Sequence, residues 1–180
     1  MLGRDRRGDR RDERRAFGAG GDAVHYQMRE KLMSIGDDSW IEDDGGRKAF
    51  RVNGKALRVR KTLVLEDPSG NGLFQIQDRP VRVRDVMEVE RGAGGTAATV
   101  KKAMISPLRE RFSVDVAGGP DWEAQGNITD HEYEITVDGT KIAEVSKRWF
   151  RVRDTYGVEV LPGQDDALVL AVTVCIEQLA

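Results

Sequence analysis

The chain has 180 residues, enough for one domain with a substantial core. Its formal net charge is -2, with two histidines and one cysteine, which excludes a global basic field for nucleic acid, an internal disulfide and a multi-cysteine metal site. No run reaches the ~18 apolar residues of a membrane span, and the start lacks the apolar stretch of a secretory signal, so a cytoplasmic protein without cofactor or metal is expected.

Residues 1–16, "MLGRDRRGDRRDERRA", hold seven Arg against four acidic residues, a local excess of +3. Residues 1–23 contain almost nothing apolar and cannot offset their own ordering entropy, so they read as a disordered tail ahead of a folded domain at 24–180.

From Tyr26 to Val160 the text is strands and turns. "EYEITV" alternates Tyr133, Ile135 and Val137 with polar neighbours, and "RFSVDV" does the same with Phe112, Val114 and Val116. Alternation predicts about twelve strands: near 26–33, 38–42, 47–53, 55–60, 62–66, 73–79, 81–90, 97–104, 110–116, 122–128, 132–137 and 140–149, with 155–160 a further candidate. "VNGK" (52–55) and "VDGT" (137–140) read as tight hairpin turns, whereas "EDPSGNG", "ERGAGG" and "AGGPD" read as longer connections. With no helix between strands, the sheet is expected to be antiparallel.

One phrase recurs in this β region: "LRVRKTLVLE" from Leu57, "VRVRDVMEVE" from Val81 and "FRVRDTYGVE" from Phe150. Positions one, three, seven and nine are apolar and share a face; the Arg positions and the final Glu take the other. Position five (Lys61, Asp85, Asp154) breaks that parity, and a buried bare charge costs too much to recur, so each copy should bend there. The Arg residues are expected on the outer face beside cross-strand Glu66, Glu90 and Glu159. Arginine geometry also suits phosphate, so Arg58, Arg60, Arg82, Arg84, Lys147, Arg148, Arg151 and Arg153 are candidates for a lipid-headgroup site.

The pattern changes after "LPGQ". Asp165 and Asp166 suit a helix N-terminus, and "ALVLAVTVCI" follows with no charge. Its β-branched content also allows a buried strand, but length and the acidic start favour a helix of about 14 residues over roughly 165–179. A helix apolar on every side must be enclosed on every side, and in a chain of strands only the sheet can enclose it. The expected fold is therefore mainly β: a closed antiparallel barrel of about twelve strands around a central hydrophobic C-terminal helix. Leu168, Leu170, Val172, Val174, Cys175 and Ile176 form its core, and Cys175 there acts as a small hydrophobe.

Candidates for chemistry are few. His131 lies between Asp130 and Glu132, but neighbours on a strand point to opposite faces, so local geometry makes no site of the three. His131 reads first as a strand-end residue in a turn; a hydrolytic centre there would need a carboxylate or hydroxyl from a distant strand. His25 lies beside the tail. "EDDGG" (42–46) and "EDPSGNG" (66–72) could hold calcium but lack EF-hand spacing. The three tryptophans, Trp40, Trp122 and Trp149, read as packing residues.

"YQMREKLMSIGDDSWIEDD" at 26–44 and "EVSKRWFRVRDTYGVEVLPGQDDALVLAVTVCIEQ" at 144–178 resemble the LURP-one-related family, itself similar to tubby C-terminal domains and phospholipid scramblases. The resemblance covers roughly 26–180, with Glu177 where relatives often carry Asp. It implies a twelve-stranded barrel around a hydrophobic helix. For function it implies little: tubby domains bind phosphoinositides and scramblases are tied to lipid movement, but neither motif maps onto this chain. The expectation is a non-catalytic barrel, peripheral to a membrane, that binds anionic phospholipid or a protein partner. The alternatives are an enzyme around His131 and a regulatory docking protein.

Overall fold

Period-two alternation gives each strand one apolar face, and twelve such strands bury those faces by closing on themselves. The computed structural model describes residues 23–30, 39–57, 60–79, 85–103, 110–149 and 154–180, without the side chains of 55–57, 60 and 61. The strands are β1 (Val24–Arg29), β2 (Ser39–Asp43), β3 (Lys48–Leu57), β4 (Arg60–Glu66), β5 (Gly72–Asp78), β6 (Val86–Arg91), β7 (Thr96–Ala103), β8 (Glu110–Val116), β9 (Trp122–Asn127), β10 (Glu132–Val137), β11 (Thr140–Ser146) and β12 (Thr155–Val160). Each pairs antiparallel with its sequence neighbour, and β1 pairs with β12 to close the barrel.

Helix α1 (Asp166–Leu179) fills the lumen. Asp165 caps it by accepting a hydrogen bond from the Leu168 amide at 3.1 Å, and Asp166 adds a second acid to the first turn. Every residue from Leu168 to Ile176 is buried, including Leu170, Val172, Val174 and Cys175. Its one polar member, Thr173, returns its hydroxyl to the Val169 carbonyl at 2.9 Å. Fourteen residues make about 21 Å of helix, close to the length of a six- or seven-residue strand. Burial pushes the Cys175 thiol far up, so it is a packing group, not a nucleophile.

Two details depart from the sequence reading. Asn53 and Gly54 make no hairpin turn; both lie inside β3, paired with Val64 and Leu63. The strands expected at 47–53 and 55–60 are thus one, and 155–160 is the twelfth strand. A two-residue Asn-Gly signal yields when both flanks extend one continuous ladder. Lys61 likewise sits in regular pairing with Ala56, so the first copy of the phrase has no corner at its fifth position. In the other copies the corner is real: Asp85 and Asp154 have φ of 67° and 62°. The "VDGT" turn also stands, with Asp138 and Gly139 at φ 48° and 78°.

An antiparallel barrel has two unlike ends. The six connections from even strands, the last leading into α1, leave at one end, and each carries a glycine at positive φ. They hold five acidic residues against Arg47, a net -4. The six connections from odd to even strands are anchored at the opposite end, where α1 terminates; by sequence they hold ten Lys and Arg against six acidic residues, +4, with seven of the ten outside the described residues. There the described positive-φ residues are Asp85, His131 and Asp154, each directly before an even strand. Each offers its carbonyl to the neighbouring strand: to the amides of Lys102 (3.0 Å), Lys147 (3.1 Å) and Glu30 (2.8 Å) respectively. His131 is therefore the corner of an arginine-free copy of the same unit, with Tyr133 and Ile135 turned inward as Met87 and Val89 are in β6.

Candidate functional site at the basic end

Of the basic candidates only Lys147 and Arg148 have described side chains, both just after β11. Arg58, Arg82, Arg84, Arg151 and Arg153 lie outside the described residues, and Arg60 is placed by its backbone alone, at the start of β4. The two candidates with described side chains are both paired. Lys147 forms an ion pair with Glu30, and Arg148 lies 3.6 Å from Glu132. Glu132 also accepts hydrogen bonds from the Ser146 hydroxyl and from the Lys147 and Arg148 amides.

The expected cross-strand partners are arranged differently. Glu66 is not an exposed partner of a phrase arginine; it is buried, and Arg51 and Asn53 satisfy it. Glu159 faces His25, whose Nε2 lies 2.9 Å away, and His25 is buried in β1. The proposed calcium loops use their own carboxylates: Asp67 accepts hydrogen bonds from the Ser69 and Asn71 amides, and Asp43 from those of Gly45 and Arg47. Among the described residues no cluster of three His, Cys, Asp or Glu side chains is placed to hold a metal. Trp122 packs in the core as expected, whereas Trp40 lies under two cations, Lys48 at 4.5 Å and Arg51 at 5.7 Å.

His131 is more than a turn residue. Its ring stacks on Tyr156 with centroids 4.5 Å apart and planes 4° from parallel. Nδ1 lies 2.7 Å from Glu177 of α1, and Nε2 lies 3.4 Å from Glu30 beyond β1. The first separation is that of a hydrogen bond but its alignment is not, so Nδ1 is buried with no aligned partner, whereas Glu30 Oε1 also meets the Lys147 ammonium. Tyr133 completes the group, donating its hydroxyl to Glu177 Oε1 at 3.0 Å. A pocket of about 210 Å³ opens here, lined by Glu30, Thr129, His131, Tyr156, Glu177 and Gln178 among others. Burial pushes the Tyr133 and Tyr156 phenols well up, and the Glu177 charge adds to it.

Sequence reasoning did not bring Glu30, Tyr133 and Glu177 together, because the closing β1–β12 pair and the return of α1 are long-range events. A weak signal was present: the parity of Tyr133 and Ile135 places His131 at the fifth position of the phrase.

The Glu30–Lys147 pair makes a pH prediction. Its hydrogen bond holds Glu30 below its ordinary value of 4.5 and Lys147 above its ordinary 10.5. The Glu30 contribution is present above about 4.5 and is lost as pH falls through the depressed value; that of Lys147 is present below about 10.5 and is lost as pH rises through the raised one. Both side chains are partly exposed, so Glu30→Gln should cost at most about 1 kcal/mol at neutral pH. Urea titrations from acid to neutral pH should show a shallower acid limb in the variant. An unchanged limb would mean that the pair contributes nothing.

Comparison with known proteins agrees with this architecture. The family model described as LURP-one-related matches residues 24–177. The uncharacterized protein YxjI of Bacillus subtilis (strain 168) is 25% identical over 157 residues, covering 87% of this chain and 93% of its own. A protein from Arabidopsis thaliana with a known X-ray structure superposes with a TM-score of 0.65 at 18% identity, over 87% of this chain and 91% of its own, which shows a shared fold. With this match across nearly the whole described barrel, the chain belongs to the LURP-one-related family.

Proposed function

We propose that the protein is a non-catalytic binding barrel that rests its basic end on an anionic phospholipid surface, through Arg58, Arg60, Arg82, Arg84, Lys147, Arg148, Arg151 and Arg153. What supports this reading is the sequence charge of the two sets of connections, +4 for those from odd to even strands against -4 for those from even strands. Such a separation orients the molecule end-on in the field of a negative surface. The lumen, where β-barrels commonly hold ligands, is occupied by α1, which leaves the ends and outer wall for recognition. No helix among the described residues is long and apolar enough to cross a membrane, so the contact proposed is peripheral.

At roughly 1 kcal/mol for each basic residue near the surface, a net +4 supports binding of about millimolar strength, reversible and weakened by salt. Sedimentation with phosphatidylserine or phosphoinositide vesicles, against neutral phosphatidylcholine, tests it. Binding should follow anionic content, fall on raising salt, and be lost when residues 82, 84, 151 and 153 are changed from Arg to Ser. Equal sedimentation with neutral vesicles, or none with any, would sink the lipid reading and leave a protein partner as the heir. A hydrolytic centre at His131 is less well supported. Both ring nitrogens face carboxylates, and the Tyr133 hydroxyl is donated to Glu177, so neither group is poised to activate a nucleophile.

A further inference from the structure

We infer that His131 is a proton-operated latch that fastens the last turn of α1 to the rim of the barrel. The inference stands apart from the lipid reading, since it concerns how the helix is held.

The charged and titratable groups facing the ring come from every element around it. Glu30 extends from β1, Lys147 follows β11 and Glu177 belongs to α1. Tyr133 of β10 and Tyr156 of β12 contribute phenols, Asp154 bears on both Glu30 and Lys147, and Asp130 acts on Lys147 from further out. With the ring neutral, carboxylates outnumber the one ammonium in this group. A neutral imidazole also has one N–H for two carboxylates, so one of them faces a lone pair. A proton on His131 reduces that acidic excess and gives both Glu30 and Glu177 a donor-bearing nitrogen. The unaligned Nδ1, 2.7 Å from Glu177, is the atom such a proton would serve.

The mechanical consequence follows from connectivity. Lys102 donates to the Leu179 carbonyl at 3.4 Å, and His131 and Tyr133 hold Glu177. Glu177 and Leu179 lie beyond the fully buried stretch Leu168–Ile176, so they can loosen without emptying the lumen. Protonation tightens this turn, and deprotonation removes the ring's charge and leaves one of its two carboxylate contacts facing a lone pair. The rigid corner, with His131 at φ 53° and its ring stacked on Tyr156, keeps the imidazole in place in both states.

NMR of the full chain between about pH 5 and 8, the range in which histidine changes charge, tests the latch. The His131 ring proton and the amides of Glu177–Leu179 should move with a common midpoint. In Glu177→Gln the amide response should be lost. His25→Gln controls for the other histidine–carboxylate contact and should leave the common midpoint unchanged. A His131 ring that titrates while Glu177–Leu179 stay still would overturn the inference. If Glu177→Gln does not fold, the coincidence of midpoints in the wild-type chain alone decides.

Discussion

Removal of residues 165–180 leaves no folded barrel at 25 °C. The deletion takes nine consecutive buried residues from the lumen, Leu168 to Ile176. A fully buried large apolar side chain contributes roughly 1.5–3 kcal/mol, so the six Leu, Ile and Val residues lost together contribute about as much as the roughly 5–15 kcal/mol by which a domain of this size is stable. The inner faces of the strands would also stand around a void that water must enter or the sheet must collapse to fill. A smaller cut, Leu170→Ala, should cost about 2–5 kcal/mol, because Leu170 is fully buried. Circular dichroism and urea unfolding of the truncated chain read the result. A cooperative β transition near the wild-type midpoint would show that the helix is dispensable.

Gly126→Ala should destabilise by roughly 3 kcal/mol or more, the second-largest effect. Gly126 lies in β9 opposite Tyr133, with φ 151°. A Cβ there would sit 2.4 Å from the Glu132 carbonyl oxygen and 2.7 Å from Tyr133 Cα. Both are backbone atoms of β10, so no side-chain rotation relieves the clash, and the strand that carries Tyr133 to Glu177 must shift. Gly46→Ala is the matched control. It too has positive φ, at 75°, but its Cβ would meet nothing within 4 Å, so only backbone strain remains. Chemical denaturation of the pair should separate them by more than about 1 kcal/mol. Equal losses would mean that close approach at Gly126 is not what selects glycine.

The barrel and its helix were legible because their signals are local. Alternation in "EYEITV" and "RFSVDV" marks two strands, and an uncharged decapeptide after two aspartates marks a helix with nowhere to go but inside. The corner in the phrase was legible by contradiction, since Asp85 and Asp154 could not continue inward, and both adopt positive φ. Lys61 carried the same contradiction without the same outcome, because its strand pairs regularly through that position. Asn53–Gly54 misled for a related reason: a turn signal competes with the ladder on either side, and in β3 the ladder prevails. The His131 group was not legible, because Glu30 and Glu177 lie 101 and 46 residues away along the chain and meet it only after the barrel closes and α1 returns through it. Glu177 was visible as an acid near the end of the expected helix; its partners were not.

The central claim is that α1 is the core of the barrel and that its last turn alone is adjustable. Native-state hydrogen exchange measures this directly. Amides of Leu168–Ile176 should exchange only by global unfolding, with the same free energy as those of Ile76 and Val100 in the wall, while those of Glu177–Leu179 open more easily. Exchange of Leu168–Ile176 through a local opening, well below the free energy of the wall strands, would contradict it.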